Sequence, residues 1–292
     1  MSHFLTPLFA PGFFASNAVA LAAGVGAIVA IVTGVVGVFT VVRGQAFAGE
    51  AFGDIGTTGG SGAFLLGVGP LWGFVVGNLI AASAMEMIGI QRPRGRDLAT
   101  GIVLGAAIGL AALFLYLDST QRSTTGATVT ILFGSVFAIS SSTLPLIIAL
   151  SLLALALVLL IYRPLLLSSV SAEVAAARGI PVRLIGACYL IALALATALA
   201  AITIGAILST ALLIGPAASA LRLFKRPFHA MLAAGAIGIA AMWLGIVLAY
   251  DSFLWPPAGR GWPVSFFVVT LLFTIYLLSG LPGLARRRRS ER

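Results

Sequence analysis

The chain has 292 residues, of which 60% are hydrophobic and only 9% charged, with a mean hydropathy of +1.14. Such a composition excludes an ordinary soluble domain and makes the chain mostly transmembrane helix. The net charge of +9 does not signal nucleic acid, because the basic residues cluster at the ends of apolar runs, where they report membrane topology.

Apolar runs of about 20 residues match a bilayer core roughly 30 Å thick. In chain order they predict nine spans, near 14–41, 46–68, 70–90, 97–117, 143–162, 184–202, 203–222, 229–250 and 263–282. The stretch 184–222 carries no charge before Arg222 and is too long for one span, so it is divided near Thr203 and Gly205. The segment 128–141 (TVTILFGSVFAISS) is too short to cross and reads as a re-entrant or interfacial helix. The expected class is all-α: a polytopic membrane protein of about nine helices plus that short one, with residues 1–292 forming a single membrane domain.

Arg43, Arg92, Arg94, Arg96, Arg163, Arg178, Arg183, Arg222, Lys225, Arg226 and Arg286 to Arg289 all sit at span ends. Nine spans with an external N-terminus put every one of them on the cytoplasmic side, leaving only Arg122 and Arg260 outside, next to Asp118 and Asp251. The N-terminal MSHFLTPLFAPGFFASNAV lacks a basic n-region and an obvious cleavage site, so no removable signal peptide is expected. Cys188 is the single cysteine, which excludes a disulfide within the chain. In the loop 251–262, Trp255 and Trp262 suit an interfacial aromatic belt.

Within 163–183 a short cytoplasmic helix is expected. Ser171 caps it, Glu173 lies in its first turn, Ala175 to Ala177 propagate it, and Gly179 with Pro181 stops it. Gly101, Gly105 and Gly109 form a small-xxx-small face, and Gly34 with Gly37 marks another close helix contact.

The chemistry concentrates at Glu50 and Asp54. An ionisable group at membrane depth costs about 2.5–3.5 kcal/mol on insertion scales, so it is a functional candidate by default. The i, i+4 spacing puts both carboxylates on one helix face, where they can hold a divalent cation transiently. The bland alternative is that Glu50 pairs with Arg43. Directly after Asp54 comes the run Gly56-Thr57-Thr58-Gly59-Gly60-Ser61-Gly62, and this much glycine predicts a helix break beside a pathway at Gly56, Gly59 and Gly60. Asn78 and Glu86 on the following span are of second rank, and Asp97 reads as a helix N-terminal charge.

Enzyme chemistry is poorly supplied. The two histidines, His3 and His229, lie far apart at predicted membrane edges, and zinc-protease, dithiol and nucleophile-elbow motifs are lacking. The only lysine, Lys225, is not in a phosphate loop, so this chain cannot hydrolyse ATP by that route.

Four stretches resemble one family in order and spacing, and together they cover almost the whole chain. GVVGVFTVVRGQAFAGEAFGD (34–54) is similar to the family's GLLGVFVVLRRMAFLGDALSH. ILFGSVFAIS (131–140) is similar to LLFGDLLAVS, SAEVAAARGIPV (171–182) to DEELARALGLPV, and GAILSTALLIGPAASALRL (205–223) to GALLVTALLIIPAATARLL. The family is that of the membrane permease subunits of ATP-binding-cassette metal importers, the zinc, manganese and iron uptake group. The resemblance implies an all-helical type II importer permease in the bacterial plasma (inner) membrane, with the N-terminus outside and the C-terminus cytoplasmic. It implies that this subunit is not an enzyme and binds no cofactor, with ATP hydrolysed in a partner subunit. The implied partners are a cytoplasmic ATPase, an external or periplasmic solute-binding protein and a second permease, either a copy or a sister chain, all set in membrane lipid. The 171–182 helix falls on the coupling helix, making Ser171, Glu173, Ala177, Gly179 and Pro181 the expected ATPase-coupling residues. Glu50 falls on the family's Asp and Asp54 on its His, the pair associated there with the metal pathway. Asp54 removes an imidazole that favours zinc, and Ser135 replaces the acid of the LFGD motif. On ligand hardness these changes favour manganese or iron.

Two alternatives stay open at this point. A chelated or non-metal cargo fits the same permease. An ion-coupled secondary carrier using Glu50 and Asp54 as a relay is the other, although it predicts an inverted repeat that the sequence does not show.

Overall fold

A computed structural model describes residues 13, 16–88, 96–121, 125–134, 136–255 and 261–290. His3, Arg92, Arg94, Arg122, Ser135 and Arg260 lie outside the described residues. The helices are α1 (Asn17–Val42), α2 (Ala46–Leu65), α3 (Pro70–Ile88), α4 (Arg96–Gln121), α5 (Thr125–Phe133), α6 (Leu144–Leu160), α7 (Tyr162–Val170), α8 (Ala172–Ala177), α9 (Val182–Ile204), α10 (Ala206–Leu223), α11 (Pro227–Asp251) and α12 (Val264–Ser290). Single 3-10 turns occupy Val136–Ala138, Ser141–Thr143 and Ser252–Leu254. Among the described residues there is no strand. Helix is the form that satisfies every backbone N–H and C=O within one segment, which a hydrocarbon environment demands.

Among the described residues, seven stretches are long and apolar enough to cross a membrane: Asn17–Val42, Gly101–Thr120, Ser141–Leu160, Val182–Ile204, Ala206–Leu223, Pro227–Leu254 and Val264–Leu281. Helices α2 and α3 are of spanning length but carry the polar residues Glu50, Asp54, Thr57, Thr58, Ser61, Asn78 and Glu86. They tolerate these because they are packed against protein: α2 lies against α3, α4, α9 and α10, and α3 against α9. Helices α1 and α9 form the enclosed centre, α1 against α9, α10 and α11, and α9 against α3 and α6. Helices α4, α6 and α12 are outermost and present Ile102, Leu152 and Phe273 outward.

The turns follow from glycine at left-handed positions. Gly44 (φ 63°) ends α1 in a Schellman arrangement, with Gln45 N–H donating to Thr40 O at 2.8 Å and Gly44 N–H to Val41 O at 3.1 Å. Only Arg43, Gly44 and Gln45 therefore separate α1 from α2. The expected division near Thr203 and Gly205 falls at Gly205, whose φ of 91° separates α9 from α10. The expected re-entrant segment 128–141 is non-spanning but not one helix: α5 stops at Phe133, Gly134 turns at φ 76°, and the 3-10 turns follow. The fifth span does not simply end near 162. Pro164 cannot donate to Leu160 and its ring crowds that carbonyl, so the helix breaks at Ile161 and resumes as α7.

Gly34 and Gly37 do mark close contacts: a Cβ at Gly34 would lie 2.8 Å from the Gly235 backbone, and one at Gly37 would strike the Leu213 carbonyl. The stripe of Gly101, Gly105 and Gly109 behaves differently, since a Cβ at any of the three meets nothing within 4 Å. Its spacing permits a close helix approach, but among the described residues no helix makes one.

Candidate functional site

Glu50 and Asp54 both lie on α2, one turn apart, Glu50 exposed and Asp54 half-buried. They are close enough for their charges to interact. The packing of α2 leaves the Glu50 end of this face open. Gly53 sits against the first turn of α10, where a Cβ would come within 2.7 Å of Ser209 Oγ, and Gly49 faces Leu213 of α10. Gly56, Gly59 and Gly60 face Asn78, Gly73 and Phe74 of α3, while Thr58 reaches α4.

The expected pairing of Glu50 with Arg43 is absent from this arrangement. Arg43 turns instead to α7, donating from Nη1 to Ser168 Oγ at 3.2 Å and Ser169 Oγ at 3.4 Å, with its guanidinium 5.2 Å from the Tyr189 ring centre. Both serine hydroxyls donate to Leu165 O, so their oxygens are free to accept from the arginine. The nearest upstream cation is therefore engaged elsewhere and does not sit against the acidic pair.

The expected helix break at Gly56, Gly59 and Gly60 does not occur, because α2 runs unbroken from Ala46 to Leu65. The glycines serve packing instead. A Cβ on Gly59 would strike the Gly73 carbonyl and lie 3.1 Å from Gly77 Cα, and one on Gly60 would lie 2.8 Å from the Phe74 ring. Gly73-x-x-x-Gly77 on α3 meets Gly59 on α2, so the two backbones approach as small-residue membrane helices do. The intrinsic cost of about 1 kcal/mol per glycine is offset by contact that no larger residue allows.

Continuity of α2 has a consequence that a break would have removed. Thr57 and Ser61 continue the face of Glu50 and Asp54 at helical spacing, exposed at the Glu50 end and buried at Ser61, 1% exposed. Thr57 Oγ1 donates to Gly53 O at 3.2 Å and Ser61 Oγ to Thr57 O at 2.7 Å. Their protons are turned onto the helix backbone, and both hydroxyls are buried among neighbouring helices, Thr57 7% and Ser61 1% exposed. The result is an acceptor-only stripe, two carboxylates at its open end followed by two buried hydroxyls, and the carboxylate end suits a hard cation. The i, i+4, i+7, i+11 spacing signals the stripe once α2 is read as intact helix. No cluster of three or more His, Cys, Asp or Glu exists among the described residues, so the pair is not a closed cage. An apolar groove of about 790 Å³ between α2, α3 and α4 is lined by Thr58, Trp72, Ile80 and Leu110, among others, and neither acidic residue lines it.

Asn78 is fully buried, donating from Nδ2 to Ala194 O at 3.1 Å and Thr197 Oγ1 at 2.9 Å, which ties α3 to α9. Its role is structural. Helix α8, which follows α7 directly, is built as the sequence predicts. Ser171 Oγ accepts from Val174 N–H at 3.2 Å, Glu173 lies in the first turn, and Ala177 is the last helical residue. Gly179 (φ 76°) closes it, with Ile180 N–H donating to Ala175 O at 3.1 Å, and Pro181 caps α9. Ala175 anchors this helix in the protein while Glu173, Ala177, Gly179 and Pro181 stay exposed.

The family model of the ABC 3 transport family matches residues 16–280. The manganese transport system membrane protein MntC of Halalkalibacterium halodurans is 34% identical over 226 residues, covering 77% of this chain and 76% of that protein. The manganese import system permease protein ScaB of Streptococcus parasanguinis is 29% identical, covering 82% of each chain. Among solved structures, PsaBC from Streptococcus pneumoniae in complex with Fab superposes with a TM-score of 0.79 at 24% identity, over 92% of this chain and 93% of that one. The match along nearly the full length places the chain: it belongs to the ABC 3 transport family and is a multi-pass membrane permease, not an enzyme.

Proposed function

We propose that this chain is the permease subunit of an ATP-driven importer whose cargo is a divalent first-row transition metal, with manganese the preferred ion. The observation that carries the reading is the acceptor-only stripe of α2, headed by Glu50 and Asp54 with Arg43 turned away. Oxygen ligands suit manganese, whereas zinc more often takes nitrogen or sulfur. The relatives named above as manganese transport proteins support the same choice.

Glu50 is exposed on a single chain, so the facing wall of the pathway comes from a second permease, a copy of this chain or a sister subunit. The cation exchanges hydration water for the carboxylate oxygens of Glu50 and Asp54 at the open end of this face. Two neighbouring carboxylates without a closed cage bind it firmly enough to attract it and loosely enough to release it. A cytoplasmic ATPase docks on α8, with Ser171, Glu173, Ala177, Gly179 and Pro181 shaping the surface. A solute-binding protein delivers the metal from outside. In this orientation the N-terminus is external and the basic C-terminus cytoplasmic, the arrangement that the distribution of Arg and Lys favours. ATP is bound and hydrolysed by the partner, and residues 1–292 act as one membrane domain.

The test is uptake into vesicles holding the permease with its partner ATPase and binding protein. ATP-dependent manganese uptake, resisted by excess zinc, is the expected result. Uptake by the permease alone, driven by an ion gradient without ATP, overturns the reading.

A further inference from the structure

We infer that Arg43 is the mechanical link between the ATPase-docking segment and the acidic helix, a positioning residue that couples hydrolysis to cation movement. The inference rests on the permease reading and deepens it. Its basis is a juxtaposition that sequence order hides: the α1–α2 turn and the end of α7, 125 positions apart, are joined by one side chain.

Three elements converge on that guanidinium. Arg43 is the last residue of the α1 turn and lies seven positions before Glu50. Its Nη1 donates to Ser168 Oγ and Ser169 Oγ on α7, whose helix ends at Ser171, the cap of α8. Its charged plane lies over the ring of Tyr189 on α9, which is fully buried, and the Tyr189 hydroxyl is 2.8 Å from Thr40 Oγ1 on α1. Charge-assisted hydrogen bonds and a cation–π contact hold better than neutral ones when partly shielded from water.

Both sides of the link are stiff. On one side, α7 passes into α8 through Ser171 alone. On the other, the Schellman turn leaves Arg43, Gly44 and Gln45 no slack before α2, and Gln45 is buried. A displacement of α8 is therefore passed through Ser168 and Ser169 to Arg43, and from Arg43 to the start of α2. Packing alone joins these parts weakly, since α8 itself touches only α7 and α9 appreciably. The serine hydroxyls, committed as donors to Leu165 O, accept from Arg43 in a fixed direction, so the link transmits pull as well as push.

The experiment uses the full complex of permease, ATPase and binding protein in vesicles, with manganese uptake and ATP hydrolysis measured together. Arg43→Met keeps an unbranched apolar stem, though a shorter one, and removes all its polar contacts. Ser168→Ala with Ser169→Ala removes the same contacts from the α7 side and leaves Arg43 in place. The expected result is that both variants co-purify with the ATPase and hydrolyse ATP, while uptake per ATP falls about tenfold or more. Arg43→Lys, which keeps the charge but not the forked geometry, recovers part of that ratio. A purely structural role lowers complex yield and leaves the ratio intact. An unchanged uptake-to-ATP ratio in the serine pair overturns the link, whatever the yield of Arg43→Met. Wild-type vesicles that show no ATP-coupled uptake overturn the permease reading instead, so the two failures are told apart.

Discussion

Gly134 and Gly205 meet backbone to backbone, each at positive φ, 76° and 91°. A Cβ on Gly205 would strike the Leu132 carbonyl, and one on Gly134 would strike the Gly205 amide. Two chain breaks, the one after α5 and the one between α9 and α10, thus satisfy each other's space inside the protein, which is where irregular backbone at membrane depth is tolerated.

Gly205→Ala is expected to destabilise the permease by at least about 1–3 kcal/mol from the left-handed backbone alone, before the collision is counted. Gly101→Ala, in an open helical position, should be neutral or stabilising by up to about 1 kcal/mol. Thermal unfolding of the two variants in detergent separates them. Equal melting temperatures would show that the Gly134–Gly205 contact carries no weight.

Gly59→Val tests the seam between α2 and α3. The added branch has only the Gly73 and Gly77 backbone to occupy, so the helices must part. Complex yield and melting temperature should both fall sharply, with a loss of about 1–3 kcal/mol as in overpacked cores. A variant as stable as wild type would mean that α2 and α3 are loosely joined.

This seam also shows what sequence reasoning could and could not reach. The spans, their order and the division at Gly205 were legible because apolar length and terminal charge are properties of each segment alone. The cap, first turn and stop of α8 were legible for the same reason. The fate of the glycines was not. Gly56 to Gly62 read as a break because glycine disfavours helix in isolation, yet α3 supplies Gly73 and Gly77 as partners that reward the missing side chains. Gly101, Gly105 and Gly109 carry the same spacing without a partner among the described residues. Spacing tells how closely a backbone can be approached, but not by what. The stripe of Thr57 and Ser61 was hidden by the same misreading, and the partner of Arg43 by its distance along the chain.

Glu173→Arg combined with Ala177→Trp should abolish ATPase docking while leaving the membrane fold intact, because both positions are exposed on α8 and Ala175 is its buried residue. Co-purification of the ATPase with the permease is the measurement. Undiminished binding would place the docking surface elsewhere.

Asp54→His adds an imidazole to a site otherwise made of oxygen. Competition between manganese and zinc in the vesicle assay should move toward zinc, by about tenfold if α2 sets selectivity. An unchanged metal profile would assign selectivity to the binding protein.

The most direct test of the account is manganese uptake by complexes carrying Glu50→Gln, Asp54→Asn and the two together, isosteric changes that keep packing and remove charge. The account predicts intact assembly, ATP hydrolysis that continues, and uptake reduced at least tenfold in each single variant and to background in the pair. Wild-type uptake in the double variant would contradict it.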